Sequence, residues 1–470
     1  MNFLFAATNC LFCKELKTDN QLKFSRFPFL KTASDPNFPI SPKRFPFFYG
    51  WVIAVFATVG TLFSIPGQTA GVSVFTDPVI EATGLSRVQL SSAYLIGTLG
   101  SGFLLPLGGR LIDRFGARLT VMLASMGLGL TLIYLSLCDY TIALLNNSLP
   151  EVNRSFIGLG VMAVGFIALR FTGQGILTLV SRTMLGKWFD RRRGFVSGIA
   201  NVFISFGFSS APLLLSFWIR GLGWRGGWIG LAVTVGLGMT LLGWLFYRDN
   251  PEVCGLTMDG TPPENQESSE QEQSKQNVAK VGELNASQAI KTLEFWSVTL
   301  ALSIHSLTVT GITFNLVDLG TQGGLTEQQA VSLFLPIGVL ATITGFLVGV
   351  ISDRVRLKWL VVTLLLLQFL GFVGIANLNL LPWRIIGILG LGASGGFFAT
   401  LTTIALPRLF GRAYLGAIGG MQMTSLVIGS AVGPSLLALF KETFGSYQSG
   451  LYACCIMIPI ALGFTLFSRE

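Results

Sequence analysis

Apolar residues are concentrated in twelve runs of about 20 residues, separated by shorter polar or basic stretches. An α-helix of about 20 apolar residues is long enough to cross the hydrocarbon core of a bilayer. The pattern therefore predicts an all-α membrane protein with twelve transmembrane helices. The helices are expected to begin near Phe48, Val88, Leu119, Phe156, Gly194, Gly227, Phe295, Ala330, Trp359, Ile385, Tyr414 and Tyr447.

Two longer polar stretches divide the chain into four parts. Residues 1–47 are polar and basic without a helical period, which predicts a disordered cytoplasmic tail. Residues 248–293 are rich in Glu, Gln, Ser, Asn and Pro, which predicts a solvated linker whose charges form no site. Residues 48–247 and 294–470 are then expected to form an N-terminal and a C-terminal six-helix bundle.

Segments of the first half recur in the second half. Residues 109–118 and 349–358 both place a glycine four residues before an Asp-Arg pair and end on a basic residue. A pattern of glycines and a proline recurs as well, in residues 194–212 and again in residues 416–434. Repeated halves of this kind form two pseudo-symmetric bundles with a substrate site between them near the bilayer midplane.

Composition supports the membrane class, since 51% of the 470 residues are hydrophobic and 12% are charged. The chain has 32 Lys and Arg against 23 Asp and Glu, and most of the basic residues fall on the side that holds both termini. The positive-inside rule makes that side cytoplasmic and predicts a multi-pass protein of the plasma (inner) membrane. Basic loops that face anionic lipid headgroups account for the positive charge, so no nucleic-acid partner is expected.

Arg170 lies well inside the fourth apolar run, where a charged side chain costs at least about 2.5 kcal/mol. A charge at that depth is typical of a substrate contact, and we favour this interpretation. The structural alternative is an arginine that bonds backbone carbonyl groups of the bundle. Gln174, one turn further on, is expected to share the helix face of Arg170 and is the second candidate.

Other candidates are polar residues on otherwise apolar helices. Gln68 follows the Pro-Gly break of the first helix, and broken helices bind substrates in many transporters. His305 and Asn315 lie on one stripe of the seventh helix, and Gln422 lies in the eleventh. Each of these side chains either faces a water-filled cavity or bonds a neighbouring helix. The pattern leaves both interpretations open.

The repeated loops resemble the signature that the major facilitator superfamily carries between helices 2 and 3 and again between helices 8 and 9. Within that superfamily the chain is most similar to the oxalate/formate antiporter and monocarboxylate transporter group. This second resemblance depends on residues 49–51, 188–198, 250–256 and 289–296. It implies the major facilitator fold, with twelve helices in two bundles.

The resemblance also implies a cytoplasmic latch. Asp113 is expected at the N-terminus of helix 11 and Asp353 at that of helix 5, where the helix dipole favours a carboxylate. Arg114, Arg118 and Arg354 are expected to tie these contacts to neighbouring loops when the cytoplasmic side is closed.

Members that carry carboxylates hold the anion with basic residues of helix 8 and of helix 1 or 11, which this chain lacks. Arg170 is then the candidate anion contact of a secondary active transporter for a small monocarboxylate or dicarboxylate, working by alternating access. The alternatives are a carrier of a neutral or zwitterionic molecule or drug, and a substrate sensor on a transporter fold.

An enzyme is not expected, because the sequence has no P-loop and its single histidine, His305, excludes a two-histidine metal motif. We expect no cofactor and no metal site. The expected state is a monomer whose partners are its small-molecule substrate and the lipid bilayer.

Overall fold

The computed structural model describes residues 35–260 and 284–468. Every regular element in these two ranges is helical, which confirms the prediction of an all-α protein. Ten helices in the described ranges are long and apolar enough to cross a membrane. Two of them are broken, at Gly116 and Gly223, where the backbone φ is 79° and 70°. Division at these glycines gives twelve membrane segments, which we number α1 to α12.

The segments follow each other in the order that the apolar runs predict. In the N-terminal bundle they are Gly50–Phe63 (α1), 87–115 (α2), 117–136 (α3), Arg154–Trp188 (α4), 193–222 (α5) and 224–246 (α6). In the C-terminal bundle they are Leu293–Gln322 (α7), Phe334–Ser352 (α8), Leu357–Ala376 (α9), Leu381–Phe410 (α10), Leu415–Phe444 (α11) and Tyr447–Phe467 (α12).

Each bundle has a hydrophobic core of its own. The larger core is built from residues between Tyr49 and Cys254, with Met423 and Val427 of α11 packed against it. The second core is built from residues between Val298 and Ala461. Because nearly all of each core comes from one half of the chain, the two halves are separate packing units.

α4 contains a π-helical segment, Arg170–Leu177. This segment packs against the irregular turn Ile65–Gly67 that follows α1, which we call the break of α1. A Cβ atom on Gly67, at that break, would lie 2.9 Å from the Cα atom of Gly173. A side chain at position 67 is therefore excluded, and glycine permits the close approach of the two backbones. π-Helical segments recur at functional sites, and this one carries Gln174 to the point where α1 and α4 meet.

The ends of the bundles that carry loops 109–118, 189–193 and 353–358 are called the basic end. Residues 35–40, called the strap, lie across the basic end of the N-terminal bundle. The buried guanidinium of Arg248 donates to three carbonyl oxygens of the strap at 2.7–3.3 Å. Arg118 donates to the carbonyl of Phe38, which it shares with Arg248, at 2.7 Å and to the carbonyl of Asp35 at 2.8 Å.

The strap departs from the disordered tail predicted for residues 1–47, since two buried arginines hold its backbone. Residues 1–34 lie outside the described part of the chain. The start of the linker departs from its prediction as well. Arg248 is 1% exposed, and Asp249 accepts hydrogen bonds from the first backbone N–H groups of α3, at 2.5 and 3.3 Å. These linker charges cap and join helices instead of forming a solvated tract.

Candidate functional site

Two carboxylates join the bundles at the basic end, and we call this pair of contacts the latch. Asp113, at the end of α2, accepts hydrogen bonds from the backbone N–H of Gly416 and of the next residue, at 2.9 and 2.7 Å. Asp353, after α8, accepts from the backbone N–H of Gly194 and of the next residue, at 2.8 and 3.0 Å. Both aspartates thus lie at the N-termini of α11 and α5, where the helix dipole favours a negative charge.

The arginines around the latch differ from the expected set. Arg408 of α10 forms the ion pair with Asp353, at 3.3 Å, because the end of α10 lies beside the end of α8. Arg118 is occupied by the strap, and Arg114 lies against the ring of its neighbouring phenylalanine. The side chain of Arg354 is exposed and makes no hydrogen bond or ion pair with the described residues.

Two further contacts cross between the bundles. Arg412, in the loop before α11, donates to the carboxylate of Glu252 at 2.9 Å and to the carbonyl of Lys187 at 3.1 Å. Thr424 of α11 donates to the carbonyl of Gly102 in α2 at 2.9 Å. Together with the latch, these contacts lie in the half of the molecule nearer the basic end. They hold the two bundles closed on that side.

A cavity of about 370 Å³ lies between the bundles. Its volume is within the range of about 300–1,000 Å³ that small-molecule sites occupy. α1, α4 and α5 contribute mostly hydroxyl and amide side chains to the wall. α7, α10 and α11 contribute a more apolar wall that includes Phe398, Met423 and Leu426. The cavity can therefore hold a small molecule with one polar and one apolar side.

Arg182 of α4 is the one charged side chain among the described residues that line the cavity. Its guanidinium makes no hydrogen bond or ion pair within the described part of the chain. Arg182 is not among the predicted contacts, because its position shortly before the basic residues 191–193 favours a cytoplasmic loop. α4 continues to Trp188, so Arg182 lies inside the helix. The apolar residues around it, such as Val180, were the sequence signal for this position.

Two more polar groups of the wall have no partner. The hydroxyl of Ser197 and the amide nitrogen of Asn201 are buried and make no hydrogen bond within the described residues. The two side chains lie one turn apart on α5 and line the same cavity as Arg182. A buried polar group without a partner costs about 1–3 kcal/mol, and a ligand that bonds these groups would recover that free energy.

Of the predicted substrate contacts, Gln68 and Gln174 line the cavity. The Gln68 amide nitrogen also donates to the Ser64 hydroxyl, at 3.1 Å. Because Gln68 follows the α1 break and Gln174 lies in the π-helical segment of α4, both amides are held where the two backbones touch.

Arg170 does not line the cavity. It is 2% exposed and donates to the hydroxyl of Tyr94 at 2.7 Å and to the carbonyl of Gly67 at 3.4 Å. The guanidinium carbon also lies 5.1 Å from the centre of the Tyr94 ring, a distance typical of a cation–π contact. These are the contacts of the structural alternative, in which Arg170 joins α4 to α2 and to the break of α1.

The other three predicted contacts also lie away from the cavity wall. His305 stacks on Phe398 with ring centroids 4.6 Å apart, so it lies behind a residue of the wall. Asn315 accepts a hydrogen bond from the Tyr447 hydroxyl at 3.3 Å and thus connects α7 to α12. Gln422 is 4% exposed, and its amide nitrogen has no partner among the described residues.

The sequence that forms this latch, this cavity and these two bundles also matches a model of a known protein family. The family model described as Major Facilitator Superfamily matches residues 56–434. The chain belongs to the major facilitator superfamily. Its members are transporters, so the protein is a transporter and not an enzyme.

Curated relatives within the superfamily are distant. The probable sulfoacetate transporter SauU of Cupriavidus necator is 24% identical over 80% of this chain and 84% of its own length. Monocarboxylate transporter 1 of Bos taurus is 27% identical over 38% of this chain and 32% of its own length. The enterobactin exporter EntS of Escherichia coli is 32% identical over 34% of this chain and 39% of its own. The last two matches thus cover less than half of those relatives.

Solved structures of the superfamily share the fold. The proton:xylose symporter XylE bound to 6-bromo-6-deoxy-D-glucose matches with a TM-score of 0.63 and 15% identity, over 89% of this chain and 95% of XylE. A bacterial homologue of the iron transporter ferroportin in the outward-facing state matches with a TM-score of 0.63 and 14% identity, over 88% and 98%. These likenesses confirm the predicted major facilitator fold.

Proposed function

We propose that this protein is a secondary active transporter that carries a small organic anion by alternating access, with Arg182 as its cationic contact. The observation that carries the proposal is the unpaired guanidinium of Arg182 on an otherwise uncharged cavity wall. Two relatives support it, since their names state sulfoacetate and monocarboxylates, which are anions. We also propose that the chain belongs to the oxalate/formate antiporter and monocarboxylate transporter group, which the similarity to monocarboxylate transporter 1 supports.

An anion removes the electrostatic cost of Arg182. An isolated charge in a wall of low polarity is expensive, and the planar fork of guanidinium N–H groups fits two oxygens of a carboxylate or a sulfonate. A neutral substrate leaves the cation unpaired. A zwitterion brings an ammonium group for which the described wall has no carboxylate. Arg182 therefore favours an anion over the neutral and zwitterionic alternatives.

The excess of basic residues at the basic end makes that end cytoplasmic in the plasma membrane, with both termini on the same side. The latch then closes the cytoplasmic side in this conformation. Release of the anion into the cytoplasm requires that α11 and α5 separate from Asp113 and Asp353. Rocking of the two bundles about the cavity performs this step.

Uptake into proteoliposomes loaded with an unlabelled anion tests the proposal, with lactate, glycolate and 2-hydroxyethanesulfonate as labelled probes. Arg182→Gln should lower kcat/KM roughly 10- to 100-fold for each probe that is transported, since hydrogen bonds to charged groups contribute about 1.5–3 kcal/mol. Arg182→Lys keeps the charge but loses the fork, so an intermediate rate is expected. Arg110→Gln is the matched control, because Arg110 is an exposed arginine of the basic end.

Wild-type transport by Arg182→Gln contradicts the proposal, as does saturable uptake of neutral analogues in preference to all three anions. Binding of the anions to purified protein without any uptake supports the sensor alternative instead.

A further inference from the structure

Among the described buried side chains with an unpaired polar atom, Ser197 and Asn201 are the two that line the cavity. Hydroxyl groups inside a helix normally bond a carbonyl of the preceding turn, as Thr58 and Thr61 of α1 do at 2.8 and 3.0 Å. Ser197 is 0% exposed, yet its hydroxyl makes no such bond. One turn later the buried amide nitrogen of Asn201 is also unpaired. Two adjacent donors on one face of α5 are thus left for a group inside the cavity.

The charge of the cavity wall limits what that group can be. Arg182 contributes one positive charge, and no other described lining residue is charged at neutral pH. An anionic group with one negative charge is matched by this wall. A second negative charge would be buried among hydroxyl, amide and apolar side chains without a cation, which is expensive. The wall therefore discriminates by the number of charges on the substrate.

We infer that Arg182, Ser197 and Asn201 form one binding site for a singly charged anionic group, such as one carboxylate or one sulfonate. This inference rests on the proposed function and specifies the substrate class as organic monoanions. The guanidinium binds two oxygens of the group, and the α5 donors bond its remaining lone pairs. The uncharged part of the substrate lies against Phe398, Met423 and Leu426 on the opposite wall.

The latch fixes the position of the two α5 donors. Asp353 binds the first backbone N–H groups of α5, at Gly194 and at the residue after it. Ser197 lies one turn further along this held end, and Asn201 follows at the next turn. Arg182 and the two α5 donors all belong to the N-terminal bundle. They keep their arrangement as the bundles rock, and they separate from the C-terminal wall when the latch opens.

Matched pairs of probes that differ by one charge test the inference on the purified wild-type protein. Glycolate is compared with oxalate, and 2-hydroxyethanesulfonate with sulfoacetate, by stabilisation against thermal unfolding at neutral pH. Each monoanion should reach half-maximal stabilisation at a concentration at least about 10-fold below that of its dianionic partner. Equal or tighter binding of the dianions overturns the single-charge inference while leaving an anion transporter. If no anion of either charge stabilises the protein, the proposed function falls as well.

Variants of α5 test the residues. Ser197→Ala and Asn201→Leu should each weaken monoanion binding roughly 10-fold by removing a hydrogen bond to a charged group. Asn201→Asp should abolish binding, because its carboxylate competes for Arg182. Ser210→Ala is the matched control on the same helix, since the Ser210 hydroxyl already donates to the Gly207 carbonyl at 3.1 Å and does not line the cavity. Unchanged affinity in Ser197→Ala and Asn201→Leu overturns their assignment, whatever their melting temperatures.

Discussion

The two arginines of α4 illustrate how a buried charge is satisfied. Arg170 obtains partners for its Nη1 from the protein, through the Tyr94 hydroxyl and the carbonyl of the α1 break, while its Nε has no partner among the described residues. Arg182 faces the cavity and leaves its donors to a ligand. The first arrangement stabilises the packing of α1, α2 and α4, and the second provides a binding site.

Arg170→Gln should therefore lower the melting temperature of the purified protein and leave its affinity for glycolate within about twofold. The shorter side chain leaves the groups that Arg170 now bonds without a partner, at about 1–3 kcal/mol for each buried polar group. Thermal unfolding with and without glycolate measures both quantities. Tyr94→Phe, which removes the hydroxyl partner, is the control and should shift stability in the same direction. A stable Arg170→Gln protein that no longer binds anions would restore Arg170 as a substrate contact.

The sequence could show that α4 carries a charge at depth, but not which way that charge points. Gln174 was expected on the face of Arg170 from the α-helical period, yet it lines the cavity and Arg170 does not. The reason is the π-helical segment, which changes the angle between successive residues. The same segment separates Arg170 from Arg182, so the face of Arg182 could not be obtained by counting turns.

At the scale of elements, the repeated loops were more informative than any single polar residue. Their aspartates lie at the starts of α5 and α11 because a carboxylate at a helix N-terminus is favoured wherever the duplicated fold brings the two together. The arginine partners could not be derived in the same way. Arg408 reaches Asp353 from the end of α10, a neighbour that only the packing of the C-terminal bundle reveals.

Asp113→Asn should shift the protein toward conformations that are open at the basic end, by roughly fivefold for the loss of about 1 kcal/mol of charge–helix interaction. The measurement is the rate at which a membrane-impermeant thiol reagent, added from the basic side, labels an Ala399→Cys reporter in the cavity wall. Cys10 and Cys13, which precede the described residues, are replaced by serine so that the reagent cannot label them. Burial raises the pKa of the Cys254 thiol to about 11, so this native cysteine reacts slowly at neutral pH.

Asp249→Asn is the matched control for this experiment. The Asp249 carboxylate also caps a helix N-terminus at the basic end, but both partners belong to the N-terminal bundle. It should lower stability without changing reporter labelling. Equal labelling in wild type and Asp113→Asn would show that the latch does not control access.

At the scale of the whole molecule, two bundles with separate cores enclose the Arg182 cation, which has no partner among the described residues. Closing both ends around an empty cavity would isolate the Arg182 charge, and no acidic side chain among the described lining residues can neutralise it. The loaded cavity does not have this cost. The bundles should therefore rock more readily with an anion bound than without one.

Exchange should accordingly be faster than net transport. Uptake of labelled glycolate into proteoliposomes that contain unlabelled glycolate is expected to be at least about 10-fold faster than uptake into anion-free vesicles, since isolated burial of a charge costs several kcal/mol. An imposed pH gradient should add little, because the described wall offers no carboxylate to carry a proton. Equal uptake in both kinds of vesicle would argue against this coupling.

The strap imposes an order on the folding of this protein during its synthesis. Pro36 of the strap is synthesised 212 residues before its partner Arg248. The strap can therefore complete its docking only after α6 has been made, when all six helices of the N-terminal bundle are present. Its docking needs no residue of α7 to α12, so the first half of the transporter can seal its basic end while the second half is still being translated.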